Sequence, residues 1–257
     1  MSLKIISQDS IPFYQSEELN RGVWTFTSFL SGQAQFVFLN EHLNRLLKGA
    51  DHLFPKVGWM NFRGEIEAFL QAEFVPAHYF RLSIAGDTLL FTKKPHAPKN
   101  PYLNLGNATS IKTPSIVPSF VKSPNYLVAD LELKEALKRK CDDVIFFDDQ
   151  GNVTEASTSN VFVWLDDKTV LTPKLSSMVL DGVTRKKLIE YLKREDFHVI
   201  ESDISKSELE SSREIWLTNA IQGIRLVDQY EKINFVREKN LYQTACLKFG
   251  RFGERYE

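Results

Sequence analysis

VIFFDDQGNVTEASTSNVFVWLDDKTVLTP, residues 144–173, decides the fold. Val144 to Phe147 is a short apolar run, closed by Asp148-Asp149-Gln150-Gly151, residue types that suit a tight turn. Val161 to Trp164 repeats the pattern, turns at Asp166-Asp167 and continues as Thr169 to Thr172. The stretch reads as an antiparallel meander with a polar stripe in its middle, Thr154-Glu155-Ala156-Ser157-Thr158-Ser159-Asn160. An isolated Ser/Thr cluster ordinarily bonds its own backbone in a turn. A glutamate and an asparagine between runs this apolar need partners if buried, so the stripe is also a candidate site.

Working downstream, Leu180-Asp181-Gly182-Val183-Thr184-Arg185 opens a helix over 184–193 with Leu188, Ile189 and Leu192 inward. Free amides at a helix start bind phosphate, although Gly182 also serves simply to make the turn. Strands are expected at 198–202 and 214–218, a short helix or turn at 205–212, and a C-terminal helix over 236–249. Upstream, 127–140 has helical spacing, with Leu127, Leu131, Leu133 and Ala136 or Leu137 toward the core and Lys134, Lys138 and Arg139 toward water. Prolines 114, 118 and 124 break any helix, so the chain is expected to cross there between an N-terminal lobe, 1–113, and a C-terminal lobe, 125–257.

In the first lobe, 22–30 and 35–39 read as a hairpin across Ser31-Gly32, and Asn40 as the cap of a helix carrying Leu43, Leu46 and Leu47 on one face. A second helix covers 62–71, a hairpin joins 77–84 to 88–92 at Gly86-Asp87, and 110–113 reads as a strand. Tyr79 and Arg81 share a strand face, which fits ordinary pairing as well as a pocket. The fold class is therefore α+β, with two α/β lobes.

Composition narrows the function without choosing it. The 257 residues carry 32 basic and 33 acidic side chains, a balance that favours neither nucleic acid nor an anionic membrane as partner. Two cysteines, Cys141 and Cys246, make a disulfide framework or a cysteine zinc site an unlikely design, and no run approaches a membrane span. The expected setting is cytoplasmic, with no metal. There is no Gly-x-Gly-x-x-Gly turn after a strand and no nucleophile elbow, which excludes the Rossmann oxidoreductase and serine hydrolase readings.

Four spaced motifs carry a resemblance. Val121-Lys122-Ser123-Pro124-Asn125-Tyr126-Leu127, residues 155–160, Leu171-Thr172-Pro173 and Leu180 to Arg185 together resemble the class IV aminotransferases, the fold-type IV pyridoxal-phosphate (PLP) enzymes. The resemblance implies a D-amino-acid aminotransferase-like fold, PLP as cofactor, an amino substrate and a homodimer. It makes Lys122 the Schiff-base lysine, which then moves the substrate's α-proton and so asks for a partly desolvated place. Glu155 would face the pyridine nitrogen, keeping it protonated so that the ring accepts electrons. Arg45, in His42-Leu43-x-Arg45-Leu46, would hold the phosphate with Val183, Thr184 and Asn219, a role for which a planar guanidinium is better shaped than an ammonium. Tyr126 would lie near the ring's phenolic oxygen, and Trp24, Thr25, Tyr79, Arg81, Ala220 and Ile221 would face the substrate. Two features differ from the family's usual pattern: Glu18-Leu19-Asn20-Arg21-Gly22 lacks its Asp-Arg and Gly-Asp-Gly pairs, and Thr25 replaces a common glutamate. The loop Thr218-Asn219-Ala220-Ile221 looks like that of aminodeoxychorismate lyases. The expected reaction is therefore the lyase, with a branched-chain or D-amino-acid transaminase as the alternative and an inactive PLP-fold binding protein as the second.

Overall fold

A computed structural model describes residues 3–7, 17–235 and 240–253, and the chain falls into two units that are taken in turn. The first holds the described residues up to Ala97 together with Phe120–Asn125. Its strands are Lys4–Ser7 (β1), Thr25–Leu30 (β2), His78–Ala85 (β3) and Thr88–Pro95 (β4), in the order β1-β4-β3-β2. β1 runs parallel to β4, and the other pairs are antiparallel. Gly86, at φ 59°, makes the expected β3–β4 turn in a left-handed conformation that glycine adopts at little cost. The helices are the single turn Glu17–Asn20 (α1), Leu39–Leu53 (α2) and Arg63–Ala72 (α3), the last entered through a 3-10 turn at Trp59–Phe62. Leu43, Leu46 and Leu47 of α2 join Phe29, Phe80 and Trp59 in the core, as their spacing predicts. Burying a side chain of this size contributes roughly 1.5–3 kcal/mol, so packing rather than helix propensity holds α2 in place.

Two local expectations fail in this unit. Residues 35–39 form no strand. Val37 N donates to Leu30 O and Ser31 bridges Phe36, but Phe38 takes φ 52° and α2 starts at Leu39. Phe36 is a core wedge instead, edge-on to Phe29, Phe74 and Phe80. Asn40 is not the cap either. Phe38 holds that position without a side-chain bond, while Asn40 Oδ1 accepts Arg63 Nη2 at 2.9 Å.

The second unit holds Pro98–Ser119 and the described residues from Tyr126 on, so the expected crossing segment is divided between the units. Its strands are Tyr102–Asn107 (β5), Asp143–Phe147 (β6), Val153–Ala156 (β7), Asn160–Trp164 (β8), Thr169–Pro173 (β9), His198–Ser202 (β10), Glu214–Asn219 (β11), Gly223–Tyr230 (β12) and Ile233–Asn234 (β13). Its helices are Leu127–Lys138 (α4), Val183–Arg194 (α5), Lys206–Glu210 (α6) and Asn240–Lys248 (α7); residues 236–239 of the expected C-terminal helix lie outside the described residues. The sheet order is β10-β9-β8-β11-β12-β5-β6-β7, with β13 on β12.

The opening stretch thus makes two hairpins, β6–β7 and β8–β9, rather than one meander, because β8 pairs with β11 on its other side. Between them the chain leaves the ladder at Ser157, whose amide and hydroxyl both donate to the buried Asp143. Residues 110–113 are not a strand. β5 precedes them, with Leu103 and Leu105 in the core cluster. Among the described residues no helix is long and apolar enough to cross a membrane, and no acidic, histidine or cysteine cluster could hold a metal.

Helix α4 turns a different face inward from the one its leucines suggest. Leu127, Leu131 and Leu137 are 73%, 52% and 56% exposed, whereas Glu132 and Ala136 are buried. The carboxylate goes in because four donors await it: the amides of Thr109 and Ser110 at 2.9 and 2.7 Å and their hydroxyls at 2.7 and 2.5 Å. Burial raises the pKa of this carboxyl, but the hydrogen bonds outweigh it and hold the group at about 2. A folded-state pKa below the unfolded one contributes stability that is present above the unfolded value of 4.5 and is lost as pH falls through about 2. Denaturant unfolding of the protein and of Glu132→Gln checks this: the gap between the two should be full at pH 6 and shrink steadily toward pH 2. A gap independent of pH would show that the carboxylate's charge contributes nothing.

Candidate active site

In the first unit, the sheet edge positions Lys122. The Lys122 carbonyl accepts Phe26 N at 3.0 Å and the Thr25 hydroxyl at 3.1 Å, which ties the extended segment 120–125 to β2. The half-buried side chain lies with Nζ 5.0 Å from the centroid of the Phe26 ring. Arg81 lies against the same ring at 3.8 Å and is 5.5 Å from Trp24. Two cations thus lie against one aromatic ring, an arrangement that gathers positive charge. Tyr79 Oη meets Ser28 Oγ at 3.0 Å.

Behind this group lies a polar chain that the sequence reading did not single out. Arg45 Nη2 donates to Thr27 Oγ1 at 3.3 Å, and Thr27 Oγ1 lies 2.8 Å from His42 Nδ1. Burial first, then the charges of Arg45 and Lys122, push the His42 pKa well below its ordinary value, so the ring is neutral at neutral pH. We assign the Thr27 hydrogen to Nδ1, which leaves His42 as its Nε2–H tautomer and lets the Thr27 oxygen accept from Arg45. The pair His42 and Thr27 thereby fixes the rotamer of Arg45.

In the second unit, Glu155 at the end of β7 is held through both oxygens: Oε1 is paired with Lys112 Nζ, and Oε2 accepts Leu180 N at 3.0 Å. Asn160 Nδ2 donates to Leu180 O at 2.9 Å, and Asn219 Nδ2 donates to Ser159 Oγ at 3.0 Å. Asn219 Oδ1 also accepts the amides of Ile221 and Gln222, which folds 219–222 into a tight, side-chain-closed loop holding the half-buried Ala220 and Ile221. Tyr126 stands at the N-cap position of α4. The start of α5 completes the cluster, with Gly182 at its N-cap. A Cβ on Gly182 would come 2.0 Å from Asn160 Oδ1, so no other residue fits there without moving Asn160.

Two hydroxyls in this unit are buried without a partner, Thr184 Oγ1 on the first turn of α5 and Thr218 Oγ1 on β11, in residues 2% and 1% exposed. A buried hydroxyl left unbonded costs about 1–3 kcal/mol. Together with the opening amides of a helix, such a hydroxyl is the donor set that a phosphate needs. The residues therefore fit the phosphate end of PLP, and the same unit holds the Glu155 carboxylate, a group of the kind a pyridine nitrogen pairs with.

The structure brings Glu155, Thr184, Val183 and Asn219 into one unit with the stripe, and Lys122, Arg45, Trp24, Thr25, Tyr79 and Arg81 into the other. Sequence reading missed Thr27, Lys112 and Thr218. His42 and Asn160 lay inside quoted motifs, so their neighbours could have been suspected; Lys112 is 43 residues from Glu155 and no local pattern marks it.

An aminodeoxychorismate lyase of Vibrio harveyi is 33% identical over 82 residues, 32% of this chain and 30% of the relative. A probable branched-chain-amino-acid aminotransferase of Thermotoga maritima is 36% identical over 107 residues, 42% of this chain and 39% of the relative. The chain thus matches only 30% and 39% of the length of these two curated relatives. An aminotransferase from Brucella abortus bound to the cofactor PLP superposes with a TM-score of 0.78 at 18% identity, covering 91% of this chain and 90% of the other, a likeness of fold. The family model for amino-transferase class IV, a PLP-dependent family, matches residues 24–230. With most of its length matched, the chain belongs to the class IV aminotransferase family.

Proposed function

We propose that this chain is a PLP-dependent lyase that splits 4-amino-4-deoxychorismate into p-aminobenzoate and pyruvate. The observation that carries the choice within the family is the loop after β11, where Asn219 closes the turn on the amides of Ile221 and Gln222 and keeps Ala220 beside it. The lyase relative from Vibrio harveyi supports the same reading.

In this reading Arg45, the amides of Val183 and Thr184, the Thr184 hydroxyl and Asn219 would hold the phosphate, Glu155 would meet the ring nitrogen and Tyr126 the phenolic oxygen. Once bound, the cofactor supplies an aldehyde that a lysine amine captures and a ring that accepts electrons. Lys122 would hold it through its amine and, once displaced by the substrate amine, would take the proton from the carbon bearing that amine. Thr25 fixes the Lys122 main chain through its hydroxyl, which keeps Nζ beside Phe26 during that transfer. Arg81, lying against Trp24 and Phe26, supplies the positive charge that a carboxylate substrate requires, and Tyr79, Trp24, Ala220 and Ile221 are assigned to the substrate as well. Departure of pyruvate leaves an aromatic ring, which makes the step run forward.

A transaminase is the second reading, favoured by the Thermotoga maritima relative. One assay separates the two. Given aminodeoxychorismate and no keto acid, the protein should release pyruvate and p-aminobenzoate in equal amounts; glutamate formed from branched-chain or D-amino acids and 2-oxoglutarate, with no p-aminobenzoate, would overturn the lyase. Borohydride reduction of the PLP-loaded protein followed by peptide mapping should find the cofactor on Lys122, and a label on any other lysine removes Lys122 from its role.

The reading includes a homodimer, supported by the exposed apolar residues Leu127, Val128 and Leu131 of α4, a surface that a second copy would keep from water. Light scattering should give the mass of two chains, and Leu131→Glu should lower it toward one. A monomeric wild-type protein contradicts the proposal.

A further inference from the structure

We propose that Lys112 is a positioning residue for Glu155, holding its carboxylate in the orientation that meets the ring nitrogen of bound PLP; this rests on the role given to Glu155 above. Glu155 and Lys112 are joined by an ion pair with side chains 18% and 28% exposed, so neither partner is fully hydrated. The ammonium has little freedom of its own. The Lys112 amide donates to Phe147 O at 2.8 Å, Nζ lies 3.5 Å from Met178 O, and the Phe146 ring centroid is 5.5 Å away. Lys112 thus bonds to β6 through its main chain and to β7 through its side chain.

The geometry at the carboxylate decides what this does. A carboxylate offers about four lone-pair directions; the bonds from Lys112 and from Leu180 N use one on each oxygen and leave others for an N–H donor. Two anchors on different oxygens fix the tilt of the carboxyl plane, which a single anchor does not. With Lys112 removed, Leu180 N alone leaves the plane free to turn about that bond, and a side chain anchored at one oxygen regains rotamers. Lys112 also places a positive charge against Glu155 without drawing on the donors at the α5 start, so the phosphate end keeps its own.

The test uses the full-length protein loaded with PLP and measures cofactor affinity by fluorescence, the pH titration of the bound cofactor's absorbance, and kcat and KM on whichever substrate is turned over. Lys112→Met should weaken PLP binding about fivefold, displace the absorbance titration and lower kcat more than it raises KM. Lys112→Arg, which keeps charge and reach, should return affinity to within about twofold. Added to Glu155→Gln, Lys112→Met should cost little more, because contacting residues that act through each other are not additive. Melting of the PLP-free variants controls for folding, and should Lys112→Met not fold, Lys112→Gln is read in the same way. Equal losses from Lys112→Met in both backgrounds, or an absorbance titration that Lys112→Met leaves in place, would overturn the proposal. A Glu155→Gln protein with unchanged affinity and titration would instead remove the role of Glu155 itself, and the inference with it.

Discussion

The start of α5 depends on a missing side chain. Because residue 182 is glycine, Asn160 Oδ1 can come to where a Cβ would be, only 2.0 Å from it, and the start of α5 closes onto β8. The same Asn160 donates to Leu180 O, and Leu180 N donates to Glu155. One close approach therefore sets the path of 180–184 and, through it, the position of the carboxylate. Across the ladder, Asn160 pairs with Thr218, so the strand that ends in the Asn219 loop is aligned by the same residue. A buried asparagine is costly unless its amide is bonded, and here each bond also places a functional group.

The first unit answers a different problem, the burial of positive charge. Arg45 and Lys122 both act on His42, and a protonated imidazole between them would repel each. Burial resolves the conflict by keeping His42 neutral, which turns it from a third cation into the acceptor that ends the Arg45 to Thr27 chain. Phe26 performs a matching task for Arg81 and Lys122, offering its electron-rich ring to both.

How far the sequence could be read follows from how local each cause is. The β3–β4 hairpin was legible because Gly86-Asp87 sits between two apolar runs, and α5 because Leu188, Ile189 and Leu192 keep helical spacing against the sheet. Where the cause is distant, the reading failed. Helix α4 carries leucines at the right spacing, yet Glu132 faces in because Thr109 and Ser110, more than twenty residues earlier in the chain, offer it four hydrogen bonds. Asn40 looked like a cap until Arg63, from the next helix, claimed its side chain. β5 was passed over because Asn104 and Asn107 interrupt its apolar alternation; their amides donate to Asp142 and Glu231, partners that local pattern does not reveal. The stripe of residues 155–160 was visible as polar groups out of place, but Lys112, which pairs with its glutamate, was not.

The residues left unsatisfied are as informative as those that are paired. Asp143 shows what the second unit does with a buried carboxyl that has no ligand to wait for: Val144 N, Ser157 N and Ser157 Oγ all donate to it, with Arg225 4.0 Å away. Even so, burial raises its pKa, which shows how strongly this interior disfavours charge. In the same interior Thr184 and Thr218 keep hydroxyls without partners, although Asn160 pairs with Thr218 across the ladder and Asn219 follows it on β11, both rich in donors and acceptors. Each such hydroxyl costs about 1–3 kcal/mol in a fold whose net stability is about 5–15 kcal/mol. A cost on that scale at the start of a helix would be offset by an anion accepting from hydroxyl and amides together, so under the proposed function the binding of phosphate and the stability of this corner would draw on the same hydrogen bonds.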